Sequence, residues 1–284
     1  MKMMGIKTKL LEYFAALLTA FVRLLAGRQA SQALATLAER IAPVVVEDAG
    51  IGRLKFFCPS RFPEWRARTL MTKEPETIRW IDGFEKTDVL WDVGANVGVF
   101  SLYAGLRGLS VVAFEPSPGN SYVLSRNIEL NGFSERVSSY CIAFNDETRL
   151  DSFHMSSTEL GTALSSFGEA VDWKGEAYTA KFKQAMLGFT IDDFIRHFNP
   201  PFPNHIKIDV DGIEMKIVRG AAITLADKRV RSALIELNIK LDDCQETIAL
   251  MESYGFRLDK REHADEFYAG DENSVFNHIF VRKS

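Results

Sequence analysis

The chain contains little cysteine, and its cysteines follow no recognisable spacing. There are three among 284 residues, Cys58, Cys141 and Cys244. Residues so far apart provide neither a disulfide framework nor the paired spacing of zinc ligands. We therefore expect no zinc site, and the free cysteines favour a reducing compartment, which we take to be the cytoplasm.

An excess of basic charge is also absent. The chain has 34 Lys and Arg against 38 Asp and Glu, which gives a formal net charge of −4. Nucleic-acid-binding proteins usually have a basic surplus, so we expect no nucleic-acid partner. With 46% hydrophobic and 25% charged residues, and no internal repeat, the composition is that of an ordinary globular protein.

The sequence lacks a long uninterrupted hydrophobic run. The longest charge-free run near the N-terminus, Tyr13 to Val22, has ten residues, about half of the ~20 needed to cross a bilayer, so we predict that it does not span one. On a helix, Glu12, Ala16, Thr19 and Arg23 form a small or polar stripe beside a broad apolar face. This helix could pack on its own domain, on a second subunit, or in the plane of a membrane, helped by Lys2, Lys7 and Lys9; an export signal is a further alternative.

Strand and helix patterns alternate along most of the chain. We divide it into an N-terminal extension of helices and short strands, residues 1–73, and a main domain, residues 74–284. The alternation predicts an α/β fold with a doubly wound, mainly parallel sheet. One segment, Asn145 to Gly188, is rich in Ser, Thr and Gly and lacks a clear period. We expect it to be a lid or binding loop, with a mobile surface excursion as the alternative.

The stretch VLWDVGANVGVFSLYA, residues 89–104, reads as strand, tight turn and helix. Such a turn presents backbone N–H groups and a helix N-terminus to a ligand. The next strand ends at Glu115, about 20 residues on, where a carboxylate can accept both hydroxyls of a ribose. Asp92 would repel a pyrophosphate but suits an ammonium and a sulfonium, so the predicted ligand is S-adenosylmethionine. The predicted cofactor contacts on the turn are Asp92, Gly94, Ala95, Asn96, Gly98 and Val99.

Five segments together resemble the FkbM family of class I S-adenosylmethionine-dependent methyltransferases. They are DVLWDVGANVGVFSLYA, VVAFEPSPGN, FTIDDFI, HIKIDVDGIEMKIVRGA and ALIELN, in that order. The resemblance implies a seven-stranded Rossmann-like sheet with an antiparallel last strand, and methyl transfer, typically to oxygen. It also implies that Gly94, Asn96 and Gly98 line the methionine end, that Glu115 holds the ribose, and that Pro116, Ala143 and Phe144 border the adenine. The acidic residue that many methyltransferases place beside adenine is missing unless Asp146 folds back.

Acidic residues cluster where the later strands end. Asp209 and Asp211 alternate to one side of IDVDG, and Glu236 follows on the next strand. Close carboxylates raise one another's pKa, which suits a base near neutral pH. We expect Asp211 to be the base, Asp209 to lie nearer the cofactor, and Glu236 to belong to the catalytic group.

Other polar residues nearby have a structural reading as well. For Glu214, helix capping is as good an explanation as a role in the site. With Asn238, the three acids could bind a divalent cation or sugar hydroxyls, although the family implies no metal. We expect His205 to be a core or edge residue. His154, exposed by default, could reach an acceptor if its segment closes.

The leading hypothesis is an S-adenosylmethionine-dependent O-methyltransferase. Its acceptor would be a sugar, a glycolipid precursor or a secondary metabolite, a substrate class that comes from the family resemblance. The alternatives are a nucleotide-dependent oxidoreductase and a noncatalytic binding module on the same fold. Expected partners are the small-molecule or glycan acceptor and, through the N-terminal helix, a membrane surface or a second subunit.

Overall fold

The computed structural model describes residues 2–263 and 274–283, with the side chains of residues 2–8 outside the described part. The chain forms two compact units, Met1–Pro43 and Val44–Ser284. The division lies earlier than the predicted boundary after Lys73. The reason is that Leu54, Phe56 and Ala67 are buried in the core of the large unit.

The N-terminal unit consists of helix α1 (Lys2–Ala26), a 3-10 turn (Gly27–Gln29) and helix α2 (Ala30–Ile41). The most apolar window of the helical run Lys9–Ile41 has a mean hydropathy of 1.6, and none of the residues in this window is buried. It is therefore long and apolar enough to cross a membrane by length and composition alone, a test that signal sequences also pass. The helix is longer than the ten-residue charge-free run because charged residues interrupt that run without ending the helix, and the prediction that it does not span a bilayer stays a prediction. Two of the lysines predicted to help membrane contact, Lys2 and Lys7, have side chains that are not among those the structure describes.

The large unit is built on a seven-stranded sheet formed by β3 (Val89–Val93), β4 (Ser110–Phe114), β5 (Val137–Tyr140), β10 (His205–Ile208), β11 (Ser232–Asn238), β12 (Phe256–Glu262) and β13 (Val275–Arg282). The strand order is β12-β13-β11-β10-β3-β4-β5. Strand β13 pairs antiparallel with β11 and with β12, and the remaining neighbouring pairs of this sheet are parallel, which confirms the predicted fold.

Both faces of this sheet are buried. Neighbouring residues of one strand point to opposite faces, so Leu90 belongs to one hydrophobic cluster and Trp91 to the other, and the same holds for Val111 and Val112. Helices cover the two faces. They are α3 (Arg61–Arg68), α4 (Pro75–Asp82), α5 (Val99–Leu106), α6 (Pro118–Asn131), α7 (Ile191–Phe198), α8 (Glu214–Arg219), α9 (Ala222–Ala226) and α10 (Asp242–Ser253).

The order of the strands reverses beside β3. The chain runs from β3 outward to β4 and β5, and then returns to β10 and β11 on the other side. In doubly wound sheets, ligands bind in the crevice at the carboxyl ends of the strands where this reversal occurs. The fold therefore brings the ends of β3, β4 and β10 together.

Two smaller sheets complete the unit. The predicted pair of short strands forms an antiparallel hairpin, β1 (Val44–Asp48) and β2 (Arg53–Phe57). The segment read as irregular contributes most of a four-stranded sheet with order β6-β9-β7-β8, so its description as irregular or as a mobile excursion was wrong. The strands of this sheet are β6 (Ala143–Phe144), β7 (Arg149–Met155), β8 (Ser165–Phe167) and β9 (Phe182–Phe189). Ser157, Thr162 and Ser165 of this segment line a cavity of the large unit, which is consistent with the expected lid or binding role.

Removal of residues 1–43 is expected to leave the large unit folded. In the described part of the chain, neither hydrophobic cluster contains a residue before Val45. Far-UV circular dichroism and thermal unfolding of residues 44–284, measured beside the full chain, test this. Loss of the cooperative transition would contradict the expectation.

The same pair of proteins tests the two partners predicted for the N-terminal helix. Vesicle flotation that is lost on removal of residues 1–43 supports membrane contact. A fall in subunit number, measured by light scattering, supports self-association. Both remain predictions.

Candidate active site

The glycine turn between β3 and α5 is pressed against the end of β10. Gly94 has φ +84°, and a Cβ at this position would lie 1.8 Å from the Asp209 carbonyl oxygen. Gly98 has φ +87°, and its Cβ would lie 2.3 Å from a methyl carbon of Leu124. Both φ angles disfavour a side chain, and at Gly94 the close approach is to backbone, which cannot shift as the Leu124 side chain near Gly98 can. The two glycines therefore fix the position of the turn relative to β10 and α6.

A cavity with an empty volume of about 910 Å³, including the part open to solvent, lies at the carboxyl ends of β3, β4, β10 and β11. It contains all three predicted catalytic acids, Asp209, Asp211 and Glu236. Seven of the predicted cofactor contacts line it, namely Asp209 again and Gly94, Asn96, Glu115, Pro116, Ala143 and Phe144.

Four other predicted contacts lie outside the cavity lining. Ala95 and Val99 are buried in the hydrophobic cluster on one face of the sheet, and Gly98 caps α5. Asp92 is 1% exposed, and its Oδ2 accepts a hydrogen bond from Ser101 Oγ at 2.6 Å. The expectation that the Asp92 carboxylate points into the pocket was therefore wrong, because the side chain lies in the interior beneath the turn.

Glu115 lies at the end of β4 with both carboxylate oxygens engaged. Oε2 accepts a hydrogen bond from Asn96 N at 2.8 Å, and Oε1 accepts one from Ser117 N at 2.9 Å. Burial raises the pKa of Glu115 to about 7, although these backbone N–H groups act in the opposite direction. The carboxylate thus ties the glycine turn to the start of α6 at the edge of the cavity.

The cavity wall near β5 and β6 is apolar. Phe114, Ile142, Ala143 and Phe144 contribute to it, and the rings of Phe114 and Phe144 pack edge to face with centroids 4.6 Å apart. Asp146 is not part of the lining, so the acidic residue sought there does not fold back into the cavity. This wall suits a flat aromatic group bound by packing.

Asp211 has an unusual backbone conformation, with φ +67°. Its Oδ2 accepts a hydrogen bond from Leu164 N at 2.7 Å. Burial and the neighbouring Asp209 raise the pKa of Asp211 to about 6. A non-glycine residue in this region is strained, and such strain is often found at functional sites.

The acids beside Asp211 differ in their surroundings. Asp209 Oδ2 accepts a hydrogen bond from Lys207 Nζ at 2.5 Å. Burial, followed by the charge of Asp209, raises the pKa of Glu236 well above its usual value. Glu214 accepts hydrogen bonds from Val210 N and Gly212 N, so it supports the loop that carries Asp211.

The two histidines considered from the sequence lie outside the cavity lining. His205 is buried, with Nε2 3.0 Å from Asp88 Oδ2 and its ring stacked on Phe84, and burial lowers its pKa to about 3. It is a core residue, as predicted. His154 is buried in β7 instead of exposed.

A covering segment, residues 157–178, is held against the site by hydrogen bonds that the sequence did not predict. Thr162 O accepts from Asn96 Nδ2 at 3.0 Å and from Asn120 Nδ2 at 3.1 Å. Trp173 O accepts from Asn238 Nδ2 at 3.1 Å, so Asn238 has a structural partner here. The segment therefore contacts both the glycine turn and the end of β11.

Two basic residues of the cavity were also missed, Arg66 on α3 and Lys73 just before α4. Arg66 Nε donates to Gly161 O at 2.8 Å, and Lys73 Nζ lies 2.7 Å from Glu74 Oε1. No periodic pattern marks α3, whose letters RFPEWRAR are largely charged. The Pro in its first turn is the local signal that could have revealed the helix.

Comparison with known proteins gives a consistent match. Residues 92–258 match the family model described as the methyltransferase FkbM domain. Hexuronic acid methyltransferase AglP of Haloferax volcanii is 25% identical over 212 residues, which cover 75% of this chain and 81% of that protein. The 31-O-demethyl-FK506 methyltransferase FkbM of Streptomyces tacrolimicus is 26% identical over 211 residues, 65% of this chain and 78% of that protein.

Among solved structures, a methyltransferase FkbM from Methylobacillus flagellatus KT aligns with a TM-score of 0.45 and 16% identity. The alignment covers 70% of this chain and 44% of that chain.

Gly94→Ala is expected to destabilise the protein more than Gly108→Ala. Both glycines have positive φ, but a Cβ at Gly108 meets nothing within 4 Å. Gly108→Ala therefore measures the backbone cost alone, about 1–2 kcal/mol, and Gly94→Ala adds the displacement of β10, roughly another 1–3 kcal/mol. Urea denaturation of the two variants gives both values. Equal losses would show that the turn does not press on β10.

Proposed function

The chain belongs to the FkbM methyltransferase family, and on that premise we propose that it transfers a methyl group from S-adenosylmethionine to a hydroxyl of a small acceptor. The observation that carries the proposal is the buried Glu115 carboxylate, which lies beside the glycine turn in one cavity with Asp211. The turn and Glu115 suit a nucleoside, and Asp211 suits the removal of a hydroxyl proton.

The residues of the cavity fit such a cofactor. Gly94 lines the cavity, and Asn96 Oδ1 is buried with no hydrogen-bond partner among residues 2–263 and 274–283. Glu115 would accept the ribose hydroxyls, and Phe144 with Ile142 would pack on the adenine. When bound, the cofactor supplies an electrophilic methyl group on a sulfonium.

Asp211 is our proposed general base. It must accept the proton of the acceptor hydroxyl as the oxygen attacks, and a pKa of about 6 leaves it largely ionised at neutral pH while still basic. Leu164 N holds one carboxylate oxygen. The covering segment reduces access of water, and orientation of the two reactants is the larger contribution to rate.

The acceptor we propose is a hydroxyl of a hexuronic acid or of a related oxygen-rich metabolite. The names of the two relatives support this, since one acts on a hexuronic acid and the other is a 31-O-demethyl-FK506 methyltransferase. The acids Asp209 and Glu236 at the cavity are suited to bind sugar hydroxyls.

Glu115→Gln is expected to weaken S-adenosylhomocysteine binding by about ten- to a hundredfold, because hydrogen bonds to a charged acceptor contribute roughly 1.5–3 kcal/mol. In the wild type, affinity should rise about tenfold from pH 6 to pH 8, since Glu115, with its pKa near 7, must be ionised to accept both hydroxyls. Glu115→Gln should lose this pH dependence.

Isothermal titration calorimetry measures both effects. The control is Glu135→Gln, an exposed position. Tight binding of NAD in place of S-adenosylhomocysteine would indicate an oxidoreductase.

Asp211→Asn is expected to lower kcat by about 10²–10⁴ and to leave S-adenosylhomocysteine affinity within twofold. Below pH 6 the wild type should also lose kcat/KM as Asp211 is protonated. Release of S-adenosylhomocysteine with hexuronic acid and hexose acceptors gives the rates, with exposed Asp242→Asn as control. Undiminished turnover in Asp211→Asn would remove this residue from catalysis, and cofactor binding without turnover in the wild type would indicate a noncatalytic module.

A further inference from the structure

We propose that Arg66, assisted by Lys73, binds a carboxylate group of a ligand in the cavity. The inference rests on the proposed function, whose two ligand classes can each present a carboxylate: the methionine end of the cofactor and a hexuronic acid acceptor. Both basic residues precede the region 92–258 that matches the family model. They are therefore features of this chain that the family match does not explain.

Arg66 is held in place by a hydrogen bond from one of its three guanidinium nitrogens. Its Nε donates to Gly161 O at 2.8 Å, and its guanidinium carbon lies 6.0 Å from the centroid of the Trp65 ring. Within the described part of the chain, its two terminal nitrogens form no hydrogen bond or ion pair. The side chain is half-buried and lines the cavity. A guanidinium fixed through Nε keeps a planar pair of donors that matches the two oxygens of a carboxylate.

Lys73 adds positive charge next to the same space. Its Nζ lies 2.7 Å from Glu74 Oε1. Although burial alone would raise the pKa of Glu74, Lys73 and Lys207 lower it to about 2, so Glu74 is ionised. Burial would likewise lower the pKa of Lys73, but Glu74, Glu236 and Asp209 raise it above its usual value. Lys73 therefore remains a cation, held in place by Glu74.

The charges around the cavity explain why an anionic ligand needs these cations. Asp209 and Asp211 line the same space, and their negative charges disfavour a carboxylate. Asp209 is already bound by Lys207 from the interior. Arg66 lines the same cavity as Glu115 and Asp211, and its positive charge acts to lower the pKa of both. The positive charge of Arg66 thus offsets the negative charge of a ligand carboxylate bound beside it. Without Arg66, repulsion by the acids would keep the carboxylate out.

The first experiment compares S-adenosylhomocysteine with 5′-methylthioadenosine, which lacks the amino acid carboxylate. Both are titrated into the wild type, Arg66→Gln and Arg66→Lys. If the cofactor supplies the carboxylate, Arg66→Gln weakens S-adenosylhomocysteine at least tenfold and leaves 5′-methylthioadenosine unchanged. Arg66→Lys should recover part of the loss, because it restores charge without the planar pair of donors.

The second experiment tests the acceptor as the source. Binding of methyl glucuronoside and of methyl glucoside is followed by saturation-transfer NMR in the presence of S-adenosylhomocysteine. If the acceptor supplies the carboxylate, Arg66→Gln weakens the glucuronoside at least tenfold and leaves the glucoside and S-adenosylhomocysteine unchanged. Arg68→Gln, on the same helix and paired with Glu47 and Glu64 outside the cavity, is the control.

Two results would overturn the proposal. One is unchanged affinity for every ligand in Arg66→Gln, which would mean that Arg66 only balances the acids. The other is an equal loss for charged and uncharged ligands, which would mean that Arg66 only holds Gly161. Thermal unfolding of each variant verifies that it is folded. A wild type that binds neither nucleoside would instead refute the proposed function, so the two failures are distinguishable.

Discussion

The ion pair between Lys207 and Asp209 is the interaction on which the site depends. The Lys207 side chain is 2% exposed on β10, and its Nζ lies 2.5 Å from Asp209 Oδ2. Burial alone would lower the pKa of Lys207, but Asp209, Glu74 and Asp92 raise it above its usual value. A buried charge of this kind is tolerated only when its partners are in place, and removal of one partner typically costs about 3–5 kcal/mol. The pair therefore fixes the end of β10, against which Gly94 is pressed and after which Asp211 follows.

The mainly parallel sheet was predictable because its strands are continuous apolar runs, and strands of this kind are buried on both faces. The acids at the strand ends followed from the same reasoning, since parallel strands end at one edge. Lys207 was overlooked within HIKIDV, although a lysine in an apolar run two residues before an aspartate suggests a buried pair. Asp92 was misplaced because alternation along β3 directs its side chain to the interior, where Ser101 Oγ binds it.

The second sheet and the basic residues could not be obtained from local patterns. In β9, alternation of exposed and buried residues begins only near Met186, after an exposed start at Phe182 and Lys183. Pairing between β7 and β9 joins residues distant in sequence. Arg66 reaches the cavity through the packing of α3 and its contact with Gly161, and no spacing in the sequence encodes that contact. Such positions depend on tertiary structure, which residue type and periodicity do not specify.

Glu115 and Asp211 show how one fold gives two carboxylates different chemistry. Both have a raised pKa because of burial. Glu115 receives backbone N–H groups on both oxygens, so it is fixed as an acceptor between the glycine turn and α6. Asp211 receives one N–H, on Oδ2, and adopts a left-handed conformation that costs roughly 1–2 kcal/mol. Because Glu214 holds the adjoining backbone at Val210 and Gly212, the loop can sustain this strain, and in the proposed reaction the other oxygen of Asp211 would receive the proton.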